Sequence, residues 1–286
     1  MQTITMQKMD IAKSLNKSFA ICIANISNKT KILDLKPCEW LKNELKDFPT
    51  FVFDLKQSDN LREILKLYIK NFDNFMLIYS NTPLITKNLV KHLQEYVSIK
   101  SCDFCKLPNG FVANTKYFLS NDKLSYDSIY TQNLDEFVTI ETEKDLFYAT
   151  KVLNNRLINY HKNNGVIFKD VDSVHISYNT KIGRDSVIFS NCNLIGKTVI
   201  GDNCIINNNT TINSSKIGDN TSISNSIVEK STIGNNVVIS PYCNIVDKSK
   251  IGDNCYIDYY TLIKSYTIKK NTKLDPRTTL EKTEKK

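Results

Sequence analysis

From residue 176 onward, the chain places a branched aliphatic side chain at nearly every sixth position. The steps land on Ile176, Ile182, Ile188, Leu194, Ile200, Ile206, Ile212, Ile217, Ile223, Val228, Ile233, Ile239, Ile245, Ile251, Ile257, Ile263, Ile268 and Leu274. Two residues before each stands a small side chain, from Thr180, Ser186 and Cys192 through to Thr272, with Tyr266 as the bulky exception. A six-residue period fits neither a helix nor an ordinary alternating strand. It fits a parallel β-helix, in which one short strand and one corner take six residues and three strands close a triangular coil. The aliphatic residue points inward, and the small residue fills the space left at the corner. Eighteen aliphatics divided among three strands predict about six coils, a prism roughly 29 Å long at strand spacing.

The Ile-Gly pairs at 182–183, 200–201, 217–218, 233–234 and 251–252 fall on one wall of that prism. Three residues after these isoleucines come Asp185, Asn203, Asn220, Asn236 and Asn254, and Asn271 follows Ile268 in the same way. Asn tolerates positive φ and Gly permits close backbone approach, so the recurring Ile-Gly-Asp-Asn reads as a stacked corner. Cys192, Cys204, Cys243 and Cys255 occupy the small-residue position and read as buried structural thiols.

The preceding residues follow another pattern. Residues 1–164 hold a single glycine, Gly110. FAICIANI (19–26), TFVFDL (50–55) and FMLIYS (75–80) predict short buried strands. Residues 60–72, 84–97 and 143–161 predict amphipathic helices, with Thr142 and Asp145 resembling a capping box. Strands alternating with helices predict an α/β layer with a mostly parallel sheet. Residues 1–17 read as an amphipathic segment suited to docking or dimerisation.

Composition changes this picture little. The chain has 286 residues, 41% of them apolar and 24% charged, with a net charge of +8. Acidic and basic residues are interspersed, which predicts a mildly basic surface with neither a nucleic-acid nor a membrane partner. The apolar run at 19–26 is too short to span a bilayer. Eight cysteines without a secretory signal predict reduced thiols and a cytoplasmic location. CDFC (102–105) is a lone CxxC followed by a turn, and neither a second pair nor a histidine stands near it. His92 and His175 have no evident partner in the sequence.

Two stretches carry a resemblance to a known family. LIYSNTPLIT (77–86) resembles a strand-loop-helix ending in Gly-Asp-Val-Pro-Leu-Ile. Residues 149–176 resemble a linker helix, with Arg156, His161, Gly165 and Val166 at its characteristic positions. Both belong to the bacterial bifunctional enzyme that makes UDP-N-acetylglucosamine, a sugar-1-phosphate uridylyltransferase joined to a trimeric acetyltransferase. The resemblance implies a nucleotidyltransferase-like, Rossmann-like α/β domain (1–141), a linker helix (142–164), a left-handed β-helix of hexapeptide repeats (165–274) and a charged tail (275–286). It also implies a homotrimer, and Mg²⁺ or acetyl-CoA as cofactors if the family activities persist.

Several family positions are altered. The glycine-rich phosphate loop has no counterpart, because no glycine precedes Gly110. The nucleotide-base loop would fall at QSDNLREI (57–64), again without glycine. The metal-holding acid is replaced by Asn81, between Ser80 and Thr82, and the second metal position falls at Glu141. A neutral amide is a poorer Mg²⁺ ligand than a carboxylate. The acetyltransferase histidine would fall near Leu274 and Asp275, and Lys264 matches a substrate-binding lysine. Ser80, Asn81, Thr82 and Lys264 are therefore the candidate substrate contacts, and Glu141 the candidate metal ligand. The expected function is a catalytically impaired relative that binds a sugar nucleotide or a protein partner as a regulator or scaffold. The alternatives are an active divergent uridylyl- or acyltransferase, and the coil-supplying half of a split enzyme.

Overall fold

A computed structural model describes residues 19–26, 30–56 and 60–281. The expected amphipathic segment at 1–17, part of the 57–64 loop and the last five residues lie outside these. The chain divides into two compact units, Met1–Ala149 and Thr150–Lys286.

In the first unit, the apolar runs become β1 (Phe19–Asn25), β2 (Thr50–Asp54) and β3 (Asn74–Tyr79). β1 is buried from Phe19 to Ala24, as expected of a central strand with both faces covered. Helices α1 (Pro37–Glu44), α2 (Leu61–Ile69), α3 (Lys87–Lys100) and α4 (Thr115–Ser120) supply that cover. Leu41, Leu89 and Leu93 pack with Ile21, Ile23 and Met76 in one cluster. Leu65, Ile69 and Phe118 pack with Ala20, Cys22 and Leu77 in another. Asn60 caps α2 and Thr86 caps α3 through their side chains, satisfying first-turn N–H groups.

β4 (Phe104–Leu107), β5 (Gly110–Asn114) and β6 (Ser128–Ile129) complete a six-stranded sheet in the order β2-β1-β3-β5-β4-β6. β1 pairs in parallel with β2 and β3, whereas β5 is antiparallel to both its neighbours. The turn expected after CDFC is present: Pro108 and Asn109 join β4 to β5. Helix α5 (Glu143–Asn163) follows. At its start, the Thr142 backbone N–H donates to Asp145 Oδ2 (2.9 Å) and the Asp145 N–H donates to Thr142 Oγ1 (3.3 Å). This is the reciprocal cap read from the sequence.

The second unit is a parallel, left-handed β-helix of about six turns. Its strands stack in three walls. The first runs from Ile167–Phe168 to Lys273–Leu274, the second from His175–Ile176 to Thr279–Glu281, and the third from Lys181–Ile182 to Thr267–Ile268. Seventeen of the eighteen stepped aliphatics are buried, and Leu274 is partly so. Removing each from water contributes on the order of 2 kcal/mol as an upper bound. The stacked strands reach the start of the span expected for the β-helix (165–274) and run beyond its end. Phe168 stacks beside Ile188, and Leu280 stacks beside Ile263. Thr279–Glu281 is thus a strand within the expected charged tail, because Leu280 supplies the next inward aliphatic.

A detail of the Ile-Gly-Asp-Asn corner is invisible at sequence level. Each Asp or Asn after the glycine accepts a backbone N–H from the coil before. Asp202 takes the Arg184 N–H (2.8 Å), Asp219 that of Asp202 (2.9 Å), Asn235 that of Asp219 (2.8 Å) and Asp253 that of Asn235 (2.7 Å). The glycine is required by proximity: a Cβ on Gly201 would meet Asp219 Oδ1 and come within 2.8 Å of the Asp219 nitrogen. The final residue adopts positive φ at Asp185, Asn203, Asn220, Asn236, Asn254 and Asn271.

The C-terminal part of α5 covers the first strand of the second wall. Asn154 Nδ2 donates to the Val174 carbonyl (2.8 Å), and its Oδ1 accepts the Ile176 N–H (2.9 Å). A side-chain amide thereby supplies the hydrogen bonds of a missing strand and closes an edge. His161, buried on the same helix, has its pKa held below the ordinary value by burial, against a hydrogen bond to the Thr180 backbone.

Candidate functional site

In open α/β sheets, ligands settle at the carboxyl ends of parallel strands, near the point where strand order reverses. Here that rim is a continuous row. Asn25, the last residue of β1, donates from Nδ2 to Asp54 Oδ1 at the end of β2 (2.6 Å). The Ile26 N–H donates to Ser80 Oγ (3.1 Å), just beyond β3. Asn109 Nδ2 donates to Asn81 Oδ1 (3.2 Å), and the Ile140 N–H donates to the Asn81 carbonyl (2.9 Å). Asp54, Asn25, Ser80, Asn81, Asn109 and the segment leading to Glu141 are thus linked side by side.

The row does not present all its expected members to a ligand. Ser80 and Thr82 are 1% and 0% exposed. The Thr82 hydroxyl donates back to the Tyr79 carbonyl (2.7 Å). Both hydroxyls are engaged by the loop backbone in this structure. Asn81 is half-buried and Glu141 is exposed. Sequence reasoning missed Asn25, Asp54 and Asn109. Gly110, beside Asn109, is the one available signal. Its φ is +122°, and a Cβ there would meet the Leu77 carbonyl oxygen. The single glycine of this unit therefore serves strand approach rather than a phosphate cradle.

These donors do not fit the divalent metal that the family resemblance implies. The Asn81 amide oxygen is neutral and already accepts from Asn109. Glu141 is a single exposed carboxylate. The nearby Asp145 carboxylate accepts the Thr142 N–H and hydroxyl, and those hydrogen bonds hold its pKa below the usual range. Mg²⁺ demands near-octahedral oxygen coordination with carboxylate charge. Among the described residues, no group of three or more His, Cys, Asp or Glu side chains could hold a metal ion.

The other candidates are engaged as well. Lys264, in the second wall, forms an ion pair with Glu281 on the next strand (Nζ–Oε1 2.6 Å). His92 does have a partner, contrary to the sequence reading: its Nδ1 lies 2.9 Å from the hydroxyl of buried Tyr130, which also accepts from Asn133 (3.2 Å). Cys102 and Cys105 are buried and unbridged, and burial pushes the Cys105 thiol up to about 11. A thiol that stays protonated at neutral pH is a poor nucleophile. Burial likewise pushes Cys192, in its coil slot, up to about 11.

Residues 171–283 match the family model described as the GMPPB C-terminal domain. The bifunctional protein GlmU of Enterococcus faecalis is 32% identical over 142 residues, covering 50% of this chain and 31% of the relative. GlmU of Clostridium kluyveri is 35% identical over 140 residues, covering 49% of this chain and 31% of the relative. That of Geobacillus sp. is 36% identical over 141 residues, with 49% and 31% covered. Over about half its length the chain is similar to GlmU. It spans about a third of the length of these GlmU relatives, and 31% in each of the three matches. A solved perosamine N-acetyltransferase from Caulobacter crescentus, in complex with CoA and GDP-perosamine, aligns over 93% of this chain and 92% of its own. The two share 7% identity, with a TM-score of 0.25. No helix among the described residues is long and apolar enough to cross a membrane.

Proposed function

We propose that this GlmU-like chain is a divergent, catalytically impaired relative of the sugar-1-phosphate nucleotidyltransferase/hexapeptide acyltransferase group. It serves amino-sugar nucleotide metabolism in the cytoplasm as a binding, regulatory or scaffold subunit. The observation that carries this reading is Asn81. It stands where the family's metal-holding acid would fall, and Asn109 occupies its amide oxygen at 3.2 Å. Without a carboxylate there, the charge that would join metal and nucleotide phosphates is missing. The rim retains polar groups at Asn25, Asp54 and Asn81, which suit the hydroxyls of a sugar nucleotide.

The assembled form in this reading is a homotrimer built on the β-helix. Ile167, Val187, Ile205 and Val238 lie in one outward column of the first wall, interrupted by Ser222, with Ile167, Ile205 and Val238 47%, 44% and 41% exposed. A flat apolar column on a rigid prism favours self-association, and cyclic closure satisfies it.

Thermal shift tests the reading, with UTP and UDP-N-acetylglucosamine each titrated in Mg²⁺ and in chelator. The expected result is stabilisation by the UDP-sugar that is the same in both conditions. Stabilisation by UTP that requires Mg²⁺ would overturn it.

A further inference from the structure

The sequence intersperses its charges, but coil folding gathers them. The outward residues of the third wall run, in register, Lys181, Val199, Lys216, Thr232, Lys250 and Thr267. On the adjoining corner, Lys197, Lys230 and Lys248 each sit two residues before an outward residue of that wall. All six lysines are exposed. Among the described residues, Lys230 pairs with Glu229 (2.9 Å), and no salt bridge engages the other five. Asp247 acts on Lys230 at that corner, Asp202, Asp219 and Asp253 are exposed along the wall's opposite corner, and Lys264, in the second wall, is neutralised by Glu281. From the coil of Lys181 to that of Lys250 the band extends about 19 Å along a rigid, flat wall.

We propose that this wall is a docking face for an anionic lipid surface. The chemistry of the band selects that partner over a nucleic acid. Its cations are all lysines, compact point charges without the planar fork that grips individual phosphates and bases. Its aromatic content is a single residue, Tyr266, 38% exposed where the repeat otherwise buries a small side chain. Base stacking calls for a succession of aromatics, whereas one amphipathic ring beside lysines suits the headgroup layer. The exposed tyrosines Tyr242 and Tyr260 stack on another corner, three residues after inward residues of the first wall. The lysines spread over both a wall and its corner, which matches a plane of charge better than a line. Binding of this kind is electrostatic and reversible, and salt weakens it.

The test is co-sedimentation of the full chain with phosphatidylcholine vesicles, with and without phosphatidylserine, at low and high salt. A charge-reversed wall (Lys181→Glu, Lys216→Glu and Lys250→Glu) is compared with an equally charged control on the first unit (Lys91→Glu, Lys116→Glu and Lys123→Glu). Circular dichroism checks that both variants remain folded, and a Lys→Gln series replaces the reversal if it unfolds the coils. The expected result is phosphatidylserine-dependent, salt-sensitive binding, reduced on the order of fivefold for each wall lysine neutralised and largely retained in the control. Absence of vesicle binding, equal loss in both variants, or binding to duplex DNA in place of vesicles would overturn the proposal.

Discussion

Asn109 donates its side-chain amide to Asn81 Oδ1 at 3.2 Å, across the gap between the β4–β5 turn and the end of β3. Two neutral amides thus meet where a family resemblance would put a carboxylate on a metal. Restoring the charge alone leaves the site incomplete, since Glu141 would add one exposed carboxylate and the Asp145 carboxylate is already held by Thr142. Asn81→Asp is expected to confer no measurable Mg²⁺ binding by calorimetry. Asn109→Ala, which removes the donor, is expected to cost about 1 kcal/mol in urea unfolding.

The glycine corners set a second expectation. In Gly201→Ala, the new methyl meets Asp219 and comes within 2.9 Å of the Gly218 carbonyl carbon. Backbone on a neighbouring coil cannot yield as a flexible side chain can. Overpacking of this kind costs about 1–3 kcal/mol, readable as a lower midpoint in denaturant. An unchanged midpoint would mean that the coils separate freely at this corner.

The inward aliphatics give a third. Ile223 is fully buried at mid-prism, stacked between Ile206 and Ile239. Ile223→Ala is expected to lose about 2–5 kcal/mol. The same truncation at half-buried Leu274 is expected to lose clearly less. Equal losses would contradict the gradient from the middle of the prism to its end.

His161 supplies the pH dependence. Burial holds its folded-state pKa below the ordinary histidine value of 6.5. As pH falls through that value, the unfolded chain takes up a proton that the native chain resists. Stability is therefore full above about pH 6.5 and declines below it. Melting temperatures measured from neutral to mildly acidic pH should fall, and His161→Gln should flatten that part of the slope.

The prism was legible because its signal is local and periodic: an isoleucine every six residues points inward whatever surrounds it. The long apolar strands β1 and β3 were legible for the same reason. The aspartate ladder was not, because each bond joins residues such as Arg184 and Asp202, eighteen apart, and exists only once coils stack. His92 and Tyr130 are separated by 38 positions, so no spacing rule could pair them. At the candidate site, the identities at 80–82 could be read, but their orientation could not. Ser80 and Thr82 turn inward because the loop's own backbone groups require partners, which is a demand of the folded rim.

The most direct measurement is pyrophosphate release by the full chain from UTP and N-acetylglucosamine-1-phosphate in the presence of Mg²⁺. No release above the rate without protein is expected. Sustained Mg²⁺-dependent release would contradict it, by requiring a metal and phosphate site that Asn81 and its neighbours do not supply.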